Sequence, residues 1–170
     1  MTMTHYMELL ASNQPWNLIL FMAVPVILAE TVAITELWIL FTRNISGVVK
    51  KINRFAGIFG GVYFIGVFVY LMKTAFIPIT LSGLWRGPID FIAVSFYLIG
   101  VVPLAGIAFL ELGLIYKHRN ELSKMKLHAI FVGLFLVVAH IAMIFGMLNP
   151  EIFKSKTNQE FQNMPMEMSH

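Results

Sequence analysis

The sequence predicts an all-α integral membrane protein: a four-transmembrane-helix up-down bundle with a short amphipathic N-terminal helix and a flexible C-terminal tail. Three observations carry that expectation. Of 170 residues, 58% are hydrophobic and only 12% are charged, too little polar surface to cover a soluble globule. Four apolar stretches, at residues 16–42, 55–73, 91–116 and 127–148, are each long enough to cross a hydrocarbon core of roughly 30 Å as a helix. The cations gather between those stretches: Arg43, Lys50, Lys51 and Arg54 after the first, Lys117, Arg119, Lys124 and Lys126 after the third, eight of twelve in all.

Residues 1–15 are expected to form an outer interfacial segment, with His5 to Ala11 as an amphipathic helix ended by Ser12-Asn13-Gln14-Pro15. Pro15 suits the opening of the next helix, and Trp16 and Trp85 mark the outer interface. Residues 16–149 form the transmembrane domain. No cation precedes the first apolar run, which is too long for a signal h-region, so this helix is expected to remain in the mature protein. Pro25 and Pro103 interrupt the first and third spans, each freeing a carbonyl one turn earlier. In the second span Gly57 and Gly61, beside Ala56 and Gly60, make a small-residue stripe that suits internal packing or a homo-oligomer. Ile77-Pro78, Ser82-Gly83 and Arg86-Gly87-Pro88 predict a loop folded back onto the bundle. Residues 150–170 read as an outer tail. By the positive-inside rule the two cation-rich loops are cytoplasmic and both termini outside, in the inner membrane if the chain is bacterial.

The absence of cysteine excludes disulfide frameworks, thiolate metal sites and iron–sulfur clusters. The net charge of +3 comes from short loops beside apolar spans, which points to a lipid bilayer as partner and not to nucleic acid. No nucleophile–base set, glycine-rich phosphate loop or zinc-peptidase pattern is present, so the sequence leans away from catalysis.

Ionisable residues inside the spans are the informative ones, because each costs about 2.5–3.5 kcal/mol at mid-membrane even on a forgiving scale. Counted from the inner span ends, Glu30 lies about 18 Å up and His140 about 20 Å up, which predicts one shared layer. Glu36 and Glu111 lie about 9 Å up with His128 just below, a second layer for which snorkelling or salt bridges to Arg43 or Lys117 are expected. Glu30 and Glu36 are six residues apart, about 120° around the helix, and so serve different neighbours.

His140, Met143 and Met147 fall on one helical stripe, Met143 and Met147 forming a Met-x-x-x-Met pair. The termini repeat the theme, with Met1, Met3, His5 and Met7 at one end and Met164, Met166, Met168 and His170 at the other. Thioether and imidazole suit Cu(I), and a polar tail has no core for methionine to fill. Outer Met-rich termini, an intramembrane Met-x-x-x-Met and a Gly-x-x-x-Gly span resemble the devices of eukaryotic high-affinity copper transporters. Those have three spans and an inner C-terminus, so the likeness is one of chemistry and not of kinship.

These residues predict a membrane protein that binds and translocates a transition metal, copper first. Its ligands would be drawn from His140, Glu30, Met143, Met147, Glu36, Glu111, His5, Met3, Met166, Met168 and His170. A haem b electron-transfer subunit is the alternative, with His140, His128 or His5 as axial ligands and Tyr63, Tyr70 and Tyr97 lining the pocket. His128 and His140 share a helix about 18 Å apart in rise and cannot clasp one haem. A non-haem metal centre or a proton path through Glu30, Glu36, Glu111 and His140 is a third reading, without the Glu-x-x-His pair of di-iron bundles. An accessory subunit of a larger membrane complex is a fourth.

Overall fold

A computed structural model describes residues 3–43, 46–115 and 121–150. Five helices follow one another: α1 (His5–Ala11), α2 (Trp16–Thr42), α3 (Val48–Ser82), α4 (Pro88–Glu111) and α5 (Glu121–Met147), with no strand among the described residues. The last four each include a stretch long and apolar enough to cross a membrane, and their short connections impose up-down order. The chain is a four-helix membrane bundle with a short helix at one end. That end is called here the α1 end; the opposite one, where Lys50, Lys51, Arg54 and Lys124 lie, is the basic end.

The helices run further than apolarity alone indicates. At about 1.5 Å per residue the 35 residues of α3 span about 52 Å, well beyond the hydrocarbon core. The expected loop after Lys73 is therefore helical as far as Ser82, and only the segment from Gly83 to Gly87 turns. Proline does not break the helix because the turn before it widens. A π-helical stretch, Met72–Phe76, ends two residues before Pro78, and another, Ile19–Ala23, ends two residues before Pro25. The wide turn relieves the clash of the ring with the preceding carbonyls. The freed carbonyls find side-chain donors: the Tyr97 hydroxyl donates to Phe21 O, and the Tyr63 hydroxyl to Leu20 O at 2.9 Å.

In a bilayer, close packing and not water exclusion joins helices, and small residues let backbones meet. Gly57 and Gly61 serve that purpose inside the chain. A methyl group on Gly61 would stand 2.5 Å from both Leu104 O and Ala108 Cβ of α4, and one on Gly57 would stand 2.9 Å from Ile107 Cγ2. Gly57 and Gly61 are buried under α4 and Gly60 against Leu28 of α2, so of the two expected uses of the stripe the structure displays internal packing. Phe64, Tyr97, Phe135 and Tyr6 pack through the core above it in tilted and edge-to-face contacts, with ring centroids 5.1–5.7 Å apart. α4 is the most enclosed span and α2 the least. α2 meets α3 along its length but α5 more sparingly, so cavities open along the α2–α5 seam.

The N-terminal helix has the expected bounds but a different seat. Thr4 caps it, accepting from Met7 N at 3.3 Å, while its hydroxyl donates to Gly146 O of α5 at 2.7 Å. Tyr6 and Leu10 are buried, so α1 is docked as a plug on the bundle mouth instead of lying free in the interface.

Candidate functional site

The basic end holds a buried polar cluster built from four helices. α2 supplies Glu36, α5 supplies His128, α4 supplies Glu111, and α3 supplies Lys50 and Asn53. His128 Nδ1 lies 2.5 Å from Glu36 Oε2, its Nε2 lies 3.6 Å from Glu111 Oε1, and Glu111 Oε1 receives Lys50 Nζ at 3.3 Å. Glu36 and His128 are 5% and 4% exposed, so water does not solvate this pair from outside. Asn53 ties α3 to α2 beside it, donating to Val32 O at 3.1 Å and Thr35 Oγ1 at 2.9 Å. Gly57 clears the space between the imidazole and Glu111: its missing methyl would lie 3.6 Å from His128 Nε2 and 3.7 Å from Glu111 Cγ.

The protonation pattern follows from donor chemistry. An ionised carboxylate only accepts, so Nδ1 donates to Glu36, and in the neutral imidazole Nε2 then carries a lone pair. That lone pair faces another acceptor, Glu111 Oε1, and makes no hydrogen bond; Glu36 Oε1 is likewise buried without one. A proton on Nε2 converts this acceptor–acceptor contact into a donor–acceptor pair. It also brings the four ionisable groups to zero formal charge, two carboxylates against Lys50 and the imidazolium. A cavity of about 390 Å³ opens beside them, lined by Glu36, Glu111 and His128 together with Lys50, Lys51 and Arg54.

This arrangement corrects the expected partners. Glu36 does not snorkel toward Arg43 but is buried against His128, and Glu111 pairs with Lys50. Lys117 lies outside the described residues. The one-layer expectation for Glu30 and His140 changes as well. α5 begins at Glu121 and not near Leu127, which lifts His128 to the level of Glu36. Measured from that pair, Glu30 rises about 9 Å along α2 and His140 about 18 Å along α5. Both nevertheless line a second cavity, of about 200 Å³, with Met143. His140 Nδ1 is 2.6 Å from Leu136 O, to which it can only donate, leaving Nε2 as a bare acceptor. Glu30 and His140 are exposed on the seam, without a hydrogen bond to each other.

The remaining candidates are scattered. His5 is at the α1 end, where its Nδ1 donates to Asp90 Oδ2 at 2.5 Å. Met147 is 69% exposed and Met3 53% exposed, and the Met3 carbonyl accepts from the Arg86 guanidinium. Met166, Met168 and His170 lie outside the described residues. Among the described residues no three His, Asp or Glu side chains converge so as to hold a metal ion. In the basic cluster the reason is visible, because the two carboxylates address opposite ring nitrogens of His128 and share no common point. A haem fits poorly. His128 has both nitrogens turned to carboxylates, His5 is tied to Asp90, and the cavity at His140 is smaller than the about 300 Å³ at which pockets for drug-sized ligands begin.

Two residues that matter escape sequence reasoning. Asp90 is fully buried and takes three donors, His5 N at 2.7 Å, His5 Nδ1 at 2.5 Å and Arg86 N at 3.2 Å. Its signal was Pro88 followed by an acid in the first helical turn, where the helix dipole favours a carboxylate. Asn53 is the other: an amide inside a span is a polar group that lipid cannot satisfy.

No curated protein and no solved structure matches the chain. A profile described as "Family of unknown function (DUF6803)" matches residues 1–162, nearly the whole length. The chain belongs to that family.

Proposed function

We propose that the chain is a multi-pass membrane protein whose basic end takes up and releases protons at Glu36–His128–Glu111, as the coupling element of transport. The observation that carries this reading is a buried imidazole held between two carboxylates, one ring nitrogen bonded and the other without a hydrogen bond. Imidazole accepts a proton at one nitrogen and releases it from the other, and it is the side chain that changes charge near neutral pH. The adjoining cavity gives the cluster access from the basic end, which the positive-inside rule assigns to the cytoplasm, with both termini outside. The test is infrared difference spectroscopy on the full chain in lipid, titrated between about pH 5 and 8. Carboxylate and imidazole bands are expected to change together in the native protein, and this change should vanish in Glu36→Gln and His128→Gln. An identical titration in both variants would overturn the reading.

A second reading, copper binding, is favoured by a separate observation: Glu30, His140 and Met143 line one cavity. His140 donates Nδ1–H to a backbone carbonyl, the arrangement by which metal-ligating histidines fix the tautomer that presents Nε2. A carboxylate, an imidazole and a thioether would there meet the ion. Metal content by mass spectrometry tests it, with stoichiometric copper expected in the native protein and lost in His140→Gln and Met143→Leu. Copper-free native protein excludes it.

A further inference from the structure

The cavity at the basic end carries an inference about what binds there. We infer that it is a binding site for a phosphate-type oxyanion, borne on a small solute or on a lipid headgroup. This rests on the proton reading in one respect, because a proton on His128 Nε2 pairs with Glu111 and lowers the negative charge that an anion would meet at the cavity floor.

Cations outnumber anions around this space even with Lys124, which has a partner of its own, left out of the balance: Lys50, Lys51 and Arg54 against Glu36 and Glu111. Topology alone calls for cations in these loops but does not require four of them to line one cavity. With a volume of about 390 Å³ it falls within the range of about 300–1,000 Å³ typical of small-molecule sites. Its buried end is not inert, for His128, 4% exposed, lines the cavity together with Glu36 and Glu111, and its Nε2 makes no hydrogen bond. Arginine and lysine recognise phosphate by charge-assisted hydrogen bonds, offered here by the exposed Lys51 and Arg54 and the half-buried Lys50. The same groups tie binding to protonation. A neutral His128 presents a lone pair toward the cluster and disfavours an anion beside Glu111, whereas the imidazolium removes one negative charge from the balance. Phosphate and proton are therefore expected to bind together.

Isothermal titration calorimetry with inorganic phosphate, on the full chain in phosphatidylcholine nanodiscs, tests the site. Saturable binding is expected, weakened about tenfold or more in Lys51→Gln and in Arg54→Gln. It should be unchanged in Lys126→Gln, which removes the same charge from an exposed position that does not line the cavity. Nanodiscs containing phosphatidic acid distinguish the sources: loss of phosphate binding there identifies a lipid headgroup as occupant, and persistence identifies a free solute. Absence of saturable binding overturns the inference. So does equal weakening by all three substitutions, since that is general surface charge. The infrared titration on the same samples separates the two proposals. Phosphate binding by a protein that shows no His128 titration leaves the anion site standing and removes the proton reading, whereas titration without phosphate binding does the reverse.

Discussion

Opposite ends of the bundle carry the same chemical pair at the same distance. His5 Nδ1 stands 2.5 Å from Asp90 Oδ2 at the α1 end, and His128 Nδ1 stands 2.5 Å from Glu36 Oε2 at the basic end. What differs is the state of the other atoms. Both oxygens of Asp90 are engaged, and Arg86 extends the network to the Met3 carbonyl and the Glu8 carboxylate, so this pair closes a helix onto the bundle mouth. At the basic end Glu36 Oε1 and His128 Nε2 lack hydrogen bonds, and a cavity adjoins them. A buried polar network that is fully satisfied rigidifies; one left partly satisfied costs stability and calls for a reason, a group that changes state being one. By that argument the α1 end is a clasp, and the basic end is where the proposed proton site belongs.

The largest effect that sharpens this contrast is expected at the clasp. Asp90→Ala leaves three donors without their acceptor and removes α1's main polar tie, so a loss of about 3–5 kcal/mol is expected, read as a lower midpoint of thermal unfolding in detergent. A midpoint within error of the native one would break the clasp argument. Next is the alkaline limb. Burial pushes the Tyr6 phenol from 10.0 up to about 12, so the folded protein holds a proton there that the unfolded chain releases. The sign follows: this contribution is intact below about pH 10 and is lost as pH rises toward 12, roughly 2–3 kcal/mol at 1.36 kcal/mol per pH unit. Tyr6→Phe should flatten that decline relative to the native protein. If both fall alike, α1 is not seated as described.

The sequence reveals these two ends unequally. Helix α1 has the bounds the sequence indicates because Ser12 to Pro15 are local stop signals, while the capping by Thr4 at its start is seen only in the structure. The four spans are legible because lipid demands runs of apolar residues, and the basic end because loop charges cluster. Helix ends are not: α3 continues past Lys73 through a π-helical turn that hydropathy does not encode, and the early start of α5 shifts the depth of His128 and His140 together. Depth counting therefore joined Glu36, Glu111 and His128 in one layer but pointed Glu36 toward Arg43, where the structure has His128, and did not bring in Lys50. Asp90 was hidden for another reason. Its three donors include the backbones of His5 and Arg86, and the segment carrying His5 is distant in sequence.

Gly57→Ala probes the basic end sterically. Its methyl would lie 2.9 Å from the Ile107 Cγ2, the end of a side chain that can move, so the cost is expected near about 1 kcal/mol, at the low end for overpacking. The same methyl would narrow the gap between His128 Nε2 and Glu111, so the infrared titration should shift while the unfolding midpoint barely does. A large stability loss with an unchanged titration would mean that the glycine serves packing alone.

The smallest stability effect, and the sharpest test of the contrast, is expected from Glu36→Gln. Glutamine keeps an oxygen that accepts from His128 Nδ1, and it removes a buried carboxylate whose second oxygen has no hydrogen bond. The gain from shedding an under-solvated charge offsets the weaker hydrogen bond, so stability should change by no more than about 1 kcal/mol in either direction. The same exchange at the other end, Asp90→Asn, puts an amide where both oxygens accept, turning one acceptor into a donor facing donors, and should cost clearly more. If the two substitutions destabilise equally, both pairs are structural and the cavity at the basic end is merely a gap between loosely packed helices. If Glu36→Gln leaves the fold intact and abolishes the titration, the missing hydrogen bonds at Glu36 and His128 are the vacancy into which a proton moves.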